Sequence, residues 1–162
     1  MTSAPPDPDL SDRPFTLTVE REFELPAHSI YLAWTERMDS WFAAPGTVLM
    51  RPELRTPFFF ETVFRAPGAS RPKRYPHYGR FLRLVPDRLI ELTWVTGAGG
   101  TEGAETVVTV ELEPRGERSH LILTHAGFAG QAARDQHLAA WPVVLNYLAA
   151  QLQGPAAAGK TQ

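Results

Sequence analysis

From Phe15 to Leu25 the chain alternates, with Leu17, Val19, Arg21 and Phe23 on one side of an extended backbone and Thr16, Thr18, Glu20, Glu22 and Glu24 on the other. A period of two is the signature of an antiparallel strand buried on one face. Pro26 then suits a helix start, where its missing N–H would be unpaired anyway. Ile30, Ala33 and Trp34 follow at helical spacing with Tyr31 on the flank, and a shorter helical piece, RMDSWFA, stops at Ala44-Pro45-Gly46. From Thr47 to Phe128 the period returns to two, predicting strands near 47–54, 57–65, 75–85, 88–96, 104–113 and 119–126. Turn residues separate them: Arg55-Thr56-Pro57, Ala66-Pro67-Gly68, Pro86-Asp87-Arg88, the run Gly97-Ala98-Gly99-Gly100, and Pro114-Arg115-Gly116. Such short connections favour an antiparallel meander over parallel crossovers.

The last element spans about Gly130 to Leu152. Leu138, Trp141, Leu145, Leu148 and Leu152 repeat at 3-4-3-4 spacing, a stripe wide enough to lie on a sheet. Pro142 falls inside it, removes the bond to the Leu138 carbonyl, and is expected to kink or break the axis. The order β, α, α, six β, α predicts an α+β domain with helices packed on one curved antiparallel sheet of about seven strands. Residues 1–13 are rich in proline and aspartate and the tail 154–162 reads GPAAAGKTQ, so both are expected to be disordered extensions of a domain at 14–153.

Composition narrows the partners. A net charge of -2 offers no basic footprint for nucleic acid. No apolar run reaches the roughly 18 residues that cross a bilayer, so membrane insertion is not expected. The polar, proline-rich N-terminus is not expected to be a secretory signal peptide. Zero cysteines remove disulfides, thiol nucleophiles and thiolate metal sites, and a cytoplasmic location is the default expectation.

Short motifs accompany this order of elements: Pro26-Ala27 with Trp34 and Trp41-Phe42; the Gly79 strand feeding Val85-Pro86-Asp87-Arg88-Leu89-Ile90 and Leu92-Thr93-Trp94; Val108 to Leu112 paired with Leu121 to Phe128; and His137, Trp141 and Leu145 on the final helix. With them the chain resembles the family related to the activator of the heat-shock-protein-90 ATPase, within the helix-grip (START, or SRPBCC) superfamily. The departures are Ala140 and Pro142 around the final-helix Trp, and Thr56-Pro57 where paired glycines often stand. The resemblance implies a helix-grip fold with a small-molecule cavity between sheet and C-terminal helix, and it fixes no single ligand, since one fold hosts many functions.

Catalytic signatures are missing: there is no G-x-S-x-G elbow, P-loop, H-E-x-x-H or dinucleotide fingerprint. The GAGG run lies between strands and reads as a flexible turn. Of His28, His77, His120, His125 and His137, no two have tight metal-ligand spacing, so neither metal nor other cofactor is expected. His125 shares a face with Leu121 and Leu123 and is the best polar candidate for the cavity; His137 lies one turn before Trp141. The expected ligand-binding residues are Phe60, Tyr78, Phe81, Trp94, His125, His137, Trp141 and Leu145, an aromatic wall with a few polar groups. Which face of the Tyr78–Arg80 segment lines the cavity stays open; with Phe81 inward, Arg80 would be a solvated cation. Arg71, Lys73 and Arg74 read as a solvated loop that could close over an anionic headgroup.

Three functions compete. Binding, carriage or sensing of a small hydrophobic or amphipathic molecule comes first, in a monomer or homodimer. A cyclase or dehydratase would need His125 or His137 to meet Glu61 or Tyr78 in the cavity, with catalytic candidates His125, His137 and Glu61. A co-chaperone-like or regulatory protein-binding module comes last.

Overall fold

The computed structural model describes residues 6–65 and 67–160, with backbone alone for 154–160. Residues 1–5 and 161–162, parts of the two expected extensions, lie outside the described residues. Six strands form one antiparallel sheet: β1 (Phe15–Phe23), β2 (Pro57–Phe64), β3 (Lys73–Val85), β4 (Leu89–Trp94), β5 (Thr106–Arg115) and β6 (Arg118–Phe128), ordered β1-β6-β5-β4-β3-β2. Helix α1 (Ala27–Thr35) and a 3-10 turn (Met38–Ser40) follow β1, and a long helix α2 (Gln131–Lys160) closes the chain. This is the α+β helix-grip arrangement, with α2 packed mainly along β1 and α1 over β4, β5 and β6.

One expected strand is absent. Residues 47–54 form no continuous strand and meet the sheet through isolated bridges, Leu49 to Phe59 and Leu54 to Phe81, and through the Thr47 hydroxyl, which accepts from the Glu61 N–H at 3.1 Å. Pro52 has no N–H to give a ladder, and Arg55 turns the chain with φ 62°. The sheet therefore has six strands rather than about seven. At the other end, α2 is continuous through Pro142 and extends to Lys160, past the expected end at Leu152. The helix is not broken at Pro142. Trp141, Leu145 and Leu148 of its stripe are buried, whereas Leu138 is exposed.

The register decides which side chains enter the interior. Phe58 faces Gly79 and Phe60 faces His77 across β2 and β3, so Phe58, Phe60, Thr62, His77, Gly79 and Phe81 share the inner face. A Cβ on Gly79 would lie 2.1 Å from the Thr93 carbonyl oxygen and 2.4 Å from the Phe58 ring, so only glycine fits between that ring and β4. Phe81 therefore points inward and Arg80 outward, but Arg80 is not a solvated cation. It is 8% exposed, its guanidinium donates to the Pro6 carbonyl at 2.6 Å, and Glu105 stands 3.8 Å away. The chain before β1 is laid against the sheet here, with Arg13 donating to the carbonyls of Gly127 and Glu105 at 2.8 Å each.

Candidate functional site

Four tryptophans meet between sheet and helices. Trp34 lies 5.3 Å from Trp41, 6.4 Å from Trp94 and 6.0 Å from Trp141, ring centre to ring centre. Beside this cluster, toward the far end of β2 and β3, the interior is unfilled. A cavity of about 390 Å³ opens there, lined by Phe42, Tyr75, His77, Trp94, His137 and Trp141 among others. That volume falls within the range of small-molecule sites, roughly 300–1,000 Å³. Lys73 and Arg74 stand among its lining residues, on β3 rather than in the solvated loop the sequence suggested. Arg74 is paired with Glu61 at 2.9 Å, and the Lys73 ammonium sits 5.4 Å from the Tyr75 ring centre.

The glycine run Gly97 to Gly100 forms part of the same lining. It is no loose turn. Thr96 and Thr101 clamp it with reciprocal bonds, Thr101 N–H to Thr96 Oγ1 at 2.7 Å and Thr96 N–H to Thr101 Oγ1 at 2.8 Å. A Cβ on Gly100 would lie 2.0 Å from Thr96 Oγ1, so a larger residue there would have to push the Thr96 hydroxyl out of the clamp.

Of the residues expected to bind a ligand, Trp94, His137 and Trp141 lie on the cavity wall. Phe60, Phe81 and Leu145 are inward but sit in the packed core. Phe60 is covered by His77, whose ring stacks on it at 4.7 Å. Tyr78 points the other way, because its neighbours His77 and Gly79 take the inner face; it is 51% exposed and packs on Phe59 at 5.2 Å. Glu61, between the inward Phe60 and Thr62, likewise faces outward. The His–Glu61 and His–Tyr78 pairs that acid–base catalysis required are therefore split across the two faces of the sheet.

His125 is the sharpest correction. It is wholly buried and lines no part of the cavity, because Trp141 stands in front of it. Trp141 Nε1–H donates to His125 Nδ1 at 3.0 Å. Since an indole nitrogen can only donate, Nδ1 is the bare nitrogen and the proton is on Nε2. That Nε2–H meets Thr106 Oγ1 at 2.7 Å, and the Thr106 hydroxyl donates onward to the Trp94 carbonyl. Burial pushes the imidazole well below its usual pKa, with His137 adding to the effect. His125 thus fixes the position of a wall residue and offers nothing to a ligand.

His77, missed as a site residue, stands on the wall with His137. Its Nδ1 lies 2.9 Å from the Tyr75 carbonyl, and His137 Nδ1 lies 2.8 Å from the Ala133 carbonyl. A carbonyl only accepts, so both neutral rings carry the proton on Nδ1 and have bare Nε2 nitrogens. No described protein group bonds either Nε2. Burial lowers His77 to about 4, and burial lowers His137 as well. Counting two steps back from Phe81 along β3 reaches Gly79 and then His77, a signal the period-two pattern contained. One further step in the same count reaches Tyr75, whereas Phe42 and the glycine loop reach the wall through long-range packing. Among the described residues, no group of three or more His, Cys, Asp or Glu could hold a metal ion. No helix among them is long and apolar enough to cross a membrane.

A curved six-stranded antiparallel sheet gripping a C-terminal helix, with two aromatic-flanked imidazoles in the gap, defines a helix-grip domain of the SRPBCC kind. The chain belongs to the family described as activator of Hsp90 ATPase homolog 1-like protein, whose model matches residues 24–153. No curated protein matches the chain. Among solved structures, it is similar to an AHSA1 protein of Silicibacter pomeroyi, at 25% identity and TM-score 0.67 over 85% of this chain and 96% of that one. A Chromobacterium violaceum protein is similar at 20% identity and TM-score 0.68, over 85% and 96%. DynU16, from the dynemicin biosynthetic locus, shares the fold at 16% identity and TM-score 0.66, over 86% of this chain and 47% of its own.

Proposed function

We propose that this protein binds a small hydrophobic or amphipathic molecule in the cavity beneath α2, and that binding rather than catalysis is its role. The supporting observation is the 390 Å³ space itself, walled by Phe42, Trp94 and Trp141 and left open where the neighbouring core is packed. Aromatic walls with a few polar groups favour a largely apolar guest held by burial and ring contacts. An acid–base enzyme built on the expected pairs is disfavoured, because Glu61 and Tyr78 sit on the opposite face of the sheet from His137. The test is native mass spectrometry and thermal shift on purified protein against fatty acids and fused-ring aromatics, with Ala140→Trp as a plugged control. Ala140 lies on the helical side of the cavity, so a larger side chain there fills it from an exposed position. Stabilisation of the native chain that is lost in the plugged variant is expected. No stabilisation by any apolar compound sinks the reading.

A further inference from the structure

Beside the cationic side chains of Lys73 and Arg74, the cavity lining also offers acceptors. Two imidazoles stand on its wall, and both spend their only N–H on main-chain carbonyls of their own elements, His77 on Tyr75 and His137 on Ala133. Each ring is therefore left with a bare Nε2, an acceptor lone pair without a protein donor. His77 is 7% exposed and flanked by three rings, Phe60 at 4.7 Å, Trp94 at 5.1 Å and Phe42 at 5.6 Å. Among these rings a bare acceptor takes its partner from whatever enters the cavity, water included.

We propose that the cavity selects planar aromatic guests carrying a hydroxyl or N–H donor, which the Nε2 atoms of His77 and His137 accept while Phe42, Trp94 and Trp141 hold the ring. This rests on the reading of the cavity as a ligand site and adds the class of ligand. Burial keeps both imidazoles unprotonated at neutral pH, so the acceptor character persists there. His125 cannot share the role, because both of its nitrogens are already bonded inside the protein.

Calorimetric titration with 2-naphthol, 2-methoxynaphthalene and naphthalene separates the donor from the ring. For the native chain, 2-naphthol is expected to bind about tenfold more tightly than its methyl ether or the parent hydrocarbon, the scale of one hydrogen bond. In His77→Phe and His137→Phe, which keep a ring and remove the acceptor, that preference should shrink toward parity. Histidine nitrogen-15 resonances give a readout independent of any variant: an Nε2 signal of His77 or His137 should shift with 2-naphthol and stay put with naphthalene. Equal affinity for all three compounds would overturn the donor inference and leave the cavity reading intact. Failure of all three to bind would overturn the cavity reading itself, and the inference with it.

Discussion

His125 and His77 lie on neighbouring parts of the same inner sheet face, both buried, both uncharged, and they do opposite things. Around His125 every polar atom is answered: the Trp141 N–H, both ring nitrogens, the Thr106 hydroxyl and the Trp94 carbonyl form one chain. Around His77 the chain stops short, with one nitrogen bonded to Tyr75 and the other facing no protein donor. Burial alone separates neither. A buried histidine whose bonding capacity is exhausted inside the protein is structural, whereas one with a nitrogen left over beside a cavity can bond what enters it, the role we propose for His77.

Acid should strain both regions, and this is the largest effect expected. Unfolded histidines take up protons near pH 6.5, while native His77, His125 and His137 are held lower, chiefly by burial. The unfolded state thus binds more protons below pH 6.5, and stability falls as pH falls. For His77 the window runs from 6.5 down to about 4 and is worth about 3 kcal/mol. His120 works the other way: its bond to Glu20 raises it, so its contribution is present in acid and fades as pH rises through the raised value. Urea unfolding at stepped pH measures the sum. A flat profile from pH 7 to 5 would contradict buried, neutral imidazoles.

Next in size is His125→Ala, expected to cost about 3 kcal/mol, since it opens a void and strands the Trp141 N–H and Thr106 hydroxyl together. Chemical denaturation checks it. A loss under 1 kcal/mol would mean the chain of bonds around His125 holds little. Gly79→Ala follows at about 2 kcal/mol, because the added methyl would meet the Thr93 carbonyl as well as the Phe58 ring, and a backbone oxygen cannot swing aside. An unchanged midpoint for this variant would show slack in the closed wall.

Much of this was legible in the chain. Without long-range information, alternation and turn residues marked β1 and, among six strands expected after α1, the five that form, and the helical stripe placed Trp141 and Leu145 inward. Period-two counting also put His125 on the inner face correctly. What it lacked was depth: whether an inward residue meets a ligand or a neighbour depends on the helix laid over it, here Trp141. The face of Tyr78 and Arg80 stayed open for a similar reason, since parity along β3 is fixed by the pairing of Phe58 with Gly79, and no local pattern reports a partner strand. Lys73 and Arg74 looked like loop because charge and Pro72 outweighed their pairing with Val63 and Phe64.

The smallest effect is the most telling. His77→Phe should leave neutral-pH stability within about 1 kcal/mol of the parent: the ring keeps its place against Phe60 and Trp94, and the lost bond to the Tyr75 carbonyl is offset by removing a half-bonded buried imidazole. The variant should also lose the His77 share of the acid sensitivity, with His125 and His137 keeping theirs, because no proton-binding difference remains at that site. The same replacement at His125 removes an acceptor that Trp141 depends on and should cost several times more. Parallel pH-stepped unfolding of His77→Phe and His125→Phe compares them directly. Equal losses at neutral pH would mean that the bare Nε2 of His77 is as much a part of the fold as the saturated ring of His125, and the division between a structural and a ligand-facing histidine would fall.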